Sequence, residues 1–140
     1  MADWQDKKAV DFMLDECTTW AVVGLSGNPS RTAYSIASLL QQRGKRIVPI
    51  HPMFAEPDAP EVLGEQGYAT LADVPFDIDV VDVFRRSESA GQFADEAVAV
   101  GAKGVWLQLG VIDEDAFERT TAAGLPMVMD TCPAIEWRKR

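Results

Sequence analysis

The segment Gly24–Arg31 carries residue types that suit a phosphate group. Its sequence, Gly-Leu-Ser-Gly-Asn-Pro-Ser-Arg, joins an apolar run to a pattern typical of a helix. Glycines permit a tight turn and a close approach of a ligand, and a helix N-terminus offers N–H groups to an anion. The guanidinium of Arg31 can add two hydrogen bonds. The alternative is a tight turn with a solvated arginine and a helix capped by Asn28 or Ser30, and the spacing alone does not decide between the two.

Arg85 and Arg86 follow another apolar segment. Cations are scarce in this chain, since 13 Lys and Arg stand against 22 Asp and Glu, for a net charge of −9. The two arginines are therefore candidates for binding an anion together with Arg31. The alternative is that they form ion pairs with Asp82 or Glu88 at the surface.

Gln108 and Gly110 come after a further apolar run. They offer a side-chain amide and a flexible backbone to a ligand. The alternative is an ordinary turn between a strand and a helix, and both interpretations stay open at the level of the sequence.

His51 is the only histidine of the chain, and it lies between Ile50 and Pro52. A single histidine excludes a histidine-rich metal site and argues against a Ser-His-Asp triad. No acid or nucleophile is near it in the sequence, so we expect a turn histidine with a satisfied ring rather than a catalytic base. We therefore predict no metal site and no catalytic residue.

The glycine loop does not match the fingerprints of the common nucleotide-binding folds. Ser26 stands where the pattern G-x-G-x-x-G has its second glycine, and Ile50-His-Pro52 stands where an acid that binds ribose is expected. The lysine of a Walker loop is also missing. These departures count against NAD and against ATP hydrolysis of the P-loop type.

Short apolar runs alternate with amphipathic patterns along the chain. The runs predict strands at 20–25, 46–50, 78–84, 104–109 and 125–129. The spacing of apolar residues predicts helices at 4–17, 32–43, 87–101 and 113–124. This alternation is typical of an α/β fold with a Rossmann-like, doubly wound, parallel five-stranded sheet, and we predict the strand order 3-2-1-4-5.

Parallel strands end at one edge of the sheet, and ligands bind there at the point where the strand order reverses. In the predicted order this point is the crevice between the first and fourth strands. The segments that leave the strands at this edge are 24–31, 49–52, 83–86, 108–111 and 129–133.

The composition is that of a single domain with a substantial core. The chain has 140 residues, 47% apolar and 25% charged, and we assign 1–140 to one domain, with a helix at about 4–17 and a core at about 18–135. No apolar run approaches the ~20 residues of a membrane span, and no signal segment is visible. The two cysteines, Cys17 and Cys132, fit neither a disulfide framework nor a zinc site. We expect a cytoplasmic protein that binds no membrane and, given its charge, no nucleic acid.

Five segments together resemble a known family. They are 21–31 (Ala-Val-Val-Gly-Leu-Ser-Gly-Asn-Pro-Ser-Arg), 49–52, 63–75, 79–85 (Asp-Val-Val-Asp-Val-Phe-Arg) and 106–110. They closely resemble the bacterial stand-alone CoA-binding domain proteins, which are similar to the CoA-binding module of the succinyl-CoA synthetase α subunit. Because several motifs occur in order at matching spacings, over about residues 18–135, the resemblance is far more specific than the glycine loop alone.

The resemblance implies a domain that binds coenzyme A or an acyl-CoA at the carboxyl ends of the strands. It implies no complete active site, because the synthetases phosphorylate a histidine in a separate domain that has no counterpart here. Family members usually carry Asn where this chain has His51. The strand exits and the resemblance together predict contacts from Gly24, Leu25, Ser26, Asn28, Ser30, Arg31, Pro49, His51, Pro52, Val83, Phe84, Arg85, Arg86, Gln108 and Gly110.

Other functions stay open at this point. One alternative is an NAD(P)-dependent oxidoreductase, although the acid expected after the second strand is missing. Another is a subunit that completes an acyl-CoA ligase together with a protein partner. A third is an interaction module whose crevice is no longer used.

Cys132 follows the fifth predicted strand, at the edge where ligands bind. CoA ends in a thiol, so a mixed disulfide with Cys132 is one hypothesis. The alternative is a buried cysteine that packs as a small apolar side chain. Reactivity requires thiolate character, which Arg85 or Arg86 would promote and Asp130 would oppose.

Overall fold

Continuous apolar segments form the strands of one parallel sheet. The computed structural model describes residues 3–140, and its strands are Thr19–Val23 (β1), Arg46–Ile50 (β2), Val80–Val83 (β3), Gly104–Leu107 (β4) and Met127–Val128 (β5). Almost every strand residue is buried. These segments lack an alternation of polar and apolar residues because helices cover both faces of the sheet.

Helices lie on both sides of this sheet. Within residues 3–140 they are Lys7–Asp11 (α1), continued by a π-helical segment Phe12–Glu16, then Thr32–Gln42 (α2), Ser87–Ala99 (α3), Glu114–Ala122 (α4) and Pro133–Arg138 (α5). Short 3-10 turns, Pro52–Ala55 and Leu71–Asp73, lie between β2 and β3. Helices α1, α2 and α5 pack on one face, and α3 and α4 pack on the other. The predicted doubly wound α/β class is therefore confirmed.

Two helices differ from the sequence prediction. The first begins at Lys7 rather than at residue 4, because Asp6 caps it by accepting a hydrogen bond from the N–H of Ala9. Helix α5 is not among the predicted elements, since six residues are too few to show a clear apolar periodicity. None of the helices in the described part of the chain has the length and apolar character needed to cross a membrane.

The strand order is β2-β1-β3-β4-β5, so the predicted order 3-2-1-4-5 is wrong in the place of the third strand. Asp79 fixes the start of β3 beside that of β1, because its Oδ2 accepts hydrogen bonds from the N–H groups of Thr18 and Thr19 at 2.9 and 3.0 Å. Tyr68, in the connection after β2, forms a parallel bridge with Ile50. The connection itself thus occupies the outer edge of β2, where β3 was expected.

Because the strand order of the sheet differs from the prediction, the expected position of the ligand-binding crevice also changes. The order reverses between β1 and β3, and not between the first and fourth strands as predicted. By the general rule for open parallel sheets, the candidate crevice therefore lies between the exits of β1 and β3. This arrangement places the glycine loop after β1 directly beside the arginines after β3.

Trp20 and Trp106 lie at the centre of the core on the face covered by α1, α2 and α5. Both are fully buried, and their ring centroids are 5.7 Å apart. Trp106 Nε1 also donates a hydrogen bond to the carbonyl oxygen of Thr131 at 3.0 Å. The central core is thereby tied to the segment that precedes α5, which fixes the position of that helix at the carboxyl edge of the sheet.

Candidate functional site

The turn after β1 is held between the ends of β2 and β3. Gly24 donates its N–H to the carbonyl oxygen of Ile50 at 2.8 Å, and Phe84 donates to that of Val23 at 2.9 Å. Gly24 has a φ of +104°, and a Cβ at this position would lie 2.9 Å from the carbonyl oxygen of Phe84. Glycine is therefore required where these three strand exits converge.

The loop before α2 leaves the N-terminus of that helix open. Asn28 Oδ1 accepts hydrogen bonds from Ser30 N at 3.0 Å and Ser30 Oγ at 2.7 Å, so Asn28 closes a local turn. Neither residue caps α2, which begins at Thr32 without a capping side chain among residues 3–140. The first N–H groups of the helix, which carry the positive end of its dipole, are thus available to an anion.

A cavity of about 340 Å³, here called the crevice, lies where the exits of β1, β2 and β3 meet. Predicted residues that line it are Gly24, Ser26, Arg31, His51, Phe84 and Arg85. Thr32 and Ala33, in the first turn of α2, complete the lining. An open helix N-terminus and two guanidinium groups therefore border one space at the point where the strand order reverses.

Within residues 3–140, no carboxylate forms an ion pair with Arg31, Arg85 or Arg86. Every ion pair formed within residues 3–140 uses another cation, so the alternative of pairing with Asp82 or Glu88 does not hold. Asp82 is fully buried and takes no part in the surface. The positive charge at the strand exits is consequently left for an external anion.

His51 has one ring nitrogen engaged. Nδ1 accepts a hydrogen bond from the backbone N–H of Met53 at 3.1 Å, as expected for a turn histidine, but Nε2 has no partner among residues 3–140, so the ring is only half satisfied. Partial burial lowers the pKa of His51, and the charge of Arg85 lowers it further, so the ring is neutral at pH 7. A neutral ring that accepts at Nδ1 carries its proton on Nε2. His51 therefore contributes a neutral N–H donor to the lining of the crevice.

A second cavity, of about 540 Å³ and here called the groove, adjoins the crevice. The two cavities share Thr32, Phe84 and Arg85. The other residues that line the groove are Arg86, Gln108, Leu109, Val111, Cys132, Ile135 and Arg138. The groove is thus bounded by the exits of β3 and β4 and by α5. It brings the predicted residues Arg86 and Gln108 next to the crevice.

The remaining predicted residues line neither cavity. Three are buried in the core or the sheet, namely Leu25, Pro49 and Val83. Three are exposed: Asn28 and Ser30 lie in the loop before α2, and Pro52 begins the 3-10 turn after β2. Gly110 donates its backbone N–H to Asp130 Oδ1 at 2.8 Å and so links the exits of β4 and β5. Gly110 therefore helps to shape the carboxyl edge of the sheet and lines neither cavity.

The apolar side of the groove is not among the features predicted from the sequence. It consists of Leu109, Val111 and Ile135, and the last of these belongs to the unpredicted helix α5. Pro133 is the residue that could have indicated helix α5 in the sequence, because proline is favoured in the first turn of a helix. The N–H groups at the start of α2, in contrast, were expected from the sequence to bind an anion, and the structure adds that Thr32 and Ala33 line the crevice.

Cys132 lines the groove and is only 8% exposed. Burial raises the pKa of the Cys132 thiol, and the N–H groups of Ala134 and Ile135, at the start of α5, oppose that shift. Among the charged groups, Asp82 raises this pKa and Arg138 lowers it, so the expected influence of Arg85, Arg86 and Asp130 is not found. Cys132 is therefore a protonated thiol at neutral pH.

Residues 18–138 match the family described as the CoA binding domain. The chain belongs to this family of CoA-binding domains. The resemblance inferred from the sequence is thereby confirmed, and membership of the family supports an association with CoA in general.

Relatives of this CoA-binding domain are similar to it in length, and those with solved structures share its fold. The uncharacterized protein YneT of Bacillus subtilis (strain 168) is 32% identical over 126 residues, which make up 90% of each chain. A hypothetical protein from Pyrococcus horikoshii OT3 superposes with a TM-score of 0.84 and 29% identity, over 94% of this chain and 89% of its own. A Thermus thermophilus protein superposes with a TM-score of 0.83 and 30% identity, over 99% and 98%. The Rossmann-like fold is therefore confirmed.

The same fold also occurs as a part of larger chains. The dinucleotide-forming acetyl-coenzyme A synthetase 1 of Ca. Korarchaeum cryptofilum superposes with a TM-score of 0.65 over 83% of this CoA-binding domain and 26% of its own length. The identity is 23%, so the similarity is one of fold.

Proposed function

We propose that this protein binds coenzyme A or an acyl-CoA with the diphosphate of the ligand in the crevice. The observation that carries the proposal is the uncapped N-terminus of α2 beside two guanidinium groups without carboxylate partners among residues 3–140. A diphosphate accepts several hydrogen bonds, which the N–H groups of Thr32 and Ala33 and the side chains of Arg31 and Arg85 can donate. Membership of the CoA-binding domain family supports this choice among anions.

The geometry favours CoA over a nicotinamide dinucleotide. Ser26 lines the crevice where the dinucleotide fingerprint has a glycine that admits the pyrophosphate. The exit of β2 offers His51 rather than an acid for the ribose hydroxyls. A neutral N–H donor suits a phosphate oxygen, whereas a ribose diol is held best by a carboxylate acceptor.

A thermal-shift measurement tests the proposal. CoA at ~100 times its dissociation constant should add about 2.7 kcal/mol to the free energy of unfolding and raise the melting temperature by several degrees. NAD at the same concentration should produce no shift. Equal shifts with both ligands, or none with CoA at millimolar concentration, would contradict the proposal. Native mass spectrometry of the purified protein gives a second test, because a retained CoA adds its own mass.

We propose further that the chain binds its ligand without catalysing a reaction by itself. The one ring nitrogen of His51 that could act as a base is occupied by the N–H of Met53. The fold shared with a part of the Korarchaeum acetyl-coenzyme A synthetase favours, as a second candidate, a subunit that supplies the CoA site of a ligase. A free-thiol assay with CoA, ATP, Mg²⁺ and acetate or succinate tests whether the isolated protein catalyses a reaction. Consumption of the CoA thiol by the isolated protein would contradict the proposal that it does not.

The cytoplasm is the proposed location. Both cysteines are free in the structure, which fits a reducing compartment. Fractionation of cells that produce the protein, with detection by antibody, checks this assignment. Recovery in an oxidising compartment would contradict it.

A further inference from the structure

The groove has a chemical character different from that of the crevice. Its wall includes the side chains of Leu109, Val111 and Ile135, and Leu109 is 63% exposed. At the shared residues Phe84 and Arg85, the groove opens beside the proposed diphosphate position. A ligand that continues from the crevice into the groove would thus meet an apolar wall, which Arg86 and Arg138 border.

Gln108 places one defined polar group in this apolar wall. It is only 4% exposed, and its Nε2 donates a hydrogen bond to Asp82 Oδ1 at 2.9 Å. In this arrangement the NH₂ group of the Gln108 amide faces Asp82, and the amide oxygen lies at the opposite side. The other end of the amide, Oε1, accepts no hydrogen bond from the described residues. Gln108 therefore offers the groove an oriented acceptor.

Asp82 is the residue that holds Gln108 in this orientation. It is fully buried in β3, where it lies in register with Val22 of β1 and Trp106 of β4. Its neighbours in the strand are all valines, and an apolar residue would fill the position without the cost of burying a carboxyl group. Its second oxygen, Oδ2, has no hydrogen-bond partner among residues 3–140. A buried carboxyl that is only half satisfied needs a purpose other than packing.

We infer that the groove seats the pantetheine arm of CoA, and that Gln108, positioned by Asp82, accepts a hydrogen bond from an amide N–H of that arm. The pantetheine arm is attached to the diphosphate of CoA. It has a branched apolar segment next to the diphosphate and carries two amide groups. An acceptor suits an amide N–H and repels a phosphate or a carboxylate, so Gln108 selects this part of the ligand. The inference rests on the proposed function and assigns the part of the ligand that each cavity takes.

Two ligands separate the contribution of the groove from that of the crevice. CoA fills both, whereas adenosine 3′-phosphate 5′-diphosphate, which is CoA without its arm, fills only the crevice. The variant Gln108→Leu should weaken CoA about three- to tenfold in calorimetry, since one neutral hydrogen bond is lost. It should leave the affinity for the arm-less nucleotide unchanged within twofold. Gln42→Leu, at an exposed position near the end of α2, is the matched control.

Asp82 is tested by a pair of variants. Asp82→Asn keeps an oxygen that can accept from Gln108 Nε2, so CoA affinity should stay within twofold of wild type. Asp82→Val removes the acceptor and should weaken CoA as much as Gln108→Leu does, again without affecting the arm-less nucleotide. A role in packing alone would not give this difference between two ligands, and thermal melting verifies that each variant is folded.

The outcomes separate this inference from the proposed function. If the wild type binds both ligands and Gln108→Leu binds CoA as tightly as the wild type, the groove assignment is wrong and the CoA proposal stands. An equal loss for both ligands in Gln108→Leu also overturns the assignment, because the effect would then not concern the arm. If the wild type binds neither ligand, the proposed function fails and this inference fails with it.

Discussion

Gly24 packs so closely against Phe84 that a side chain at position 24 would lie 2.9 Å from the Phe84 carbonyl oxygen. Contacts of Cβ atoms at this distance with backbone essentially do not occur, so one of the two strand exits would have to move. The contact joins the loop that borders the open end of α2 to the exit that carries Arg85. It therefore couples the stability of the sheet edge to the shape of the crevice.

Gly24→Ala should destabilise the protein by roughly 2–5 kcal/mol. Two costs combine, because alanine would have to adopt a positive φ and its methyl group would overlap with Phe84. Gly124→Ala is the matched control, since Gly124 has a φ of +95° and a methyl group there would meet no atom within 4 Å among the described residues. The control should lose only about 1–2 kcal/mol. Urea unfolding measures both values, and equal losses would show that the contact with Phe84 is not tight.

Arg31→Ala should weaken CoA binding about tenfold or more and leave the fold intact. Arg31 is exposed, so its removal opens no internal cavity, and one charge-assisted hydrogen bond is worth roughly 1.5–3 kcal/mol. Arg85→Ala is the parallel test on the opposite side of the crevice. Arg119→Ala, on α4 and paired with Asp95, is the control and should bind CoA normally. Calorimetry that gives unchanged affinity for Arg31→Ala would place this residue outside the site.

The stability of the protein should fall between pH 5 and pH 7 because of Asp82. Burial raises the pKa of Asp82 to about 8, while the unfolded chain titrates near the ordinary value of 3.8. Between these values the folded state binds a proton that the unfolded state has lost, so stability decreases as the pH rises. Over two pH units the contribution is on the order of 2–3 kcal/mol, and it levels off above pH 8.

Asp82→Asn removes this contribution because its side chain does not titrate. As the pH rises from 5 to 7, the free energy of unfolding of Asp82→Asn should therefore increase relative to that of the wild type. Urea unfolding at both pH values measures the difference. Parallel pH profiles for the two proteins would mean that Asp82 is ionised in the folded state.

Oxidised CoA should modify Cys132 and leave Cys17 unmodified. In the exchange, the Cys132 thiolate attacks one sulfur of the CoA disulfide, a mixed disulfide forms, and one CoA thiolate leaves. Cys132 lines the groove, whereas Cys17 is 1% exposed and burial raises its pKa to about 11. Because burial also raises the pKa of Cys132, the reaction should be slow at pH 7 and faster at pH 9.

Peptide mass mapping after incubation with CoA disulfide decides this prediction. The expected adduct lies on the peptide that contains Cys132, and Cys132→Ser should abolish it. No adduct at either pH, or an equal adduct on Cys17, would show that Cys132 serves only as a small apolar side chain.

The strand exits that form the site were predictable because the signals are local. Apolar runs bounded by turn residues located all five strands, and the glycine loop and the arginines at 31 and 85 were singled out by their type. The alternation of strands and helices gave the doubly wound class. Each of these features depends on residues close together in the sequence.

Strand order and side-chain partners depended on contacts between distant residues. The place of β3 is set by the contact of Asp79 with Thr18, 61 residues away, and by Tyr68 at the edge of β2. Asp82 interrupts an apolar run in the sequence, but only the pairing of β3 with β4 shows that it binds Gln108. The chain alone thus specified which segments meet at the sheet edge. Tertiary packing decided which of them are neighbours, because backbone pairing and burial act through space and leave no local pattern in the sequence.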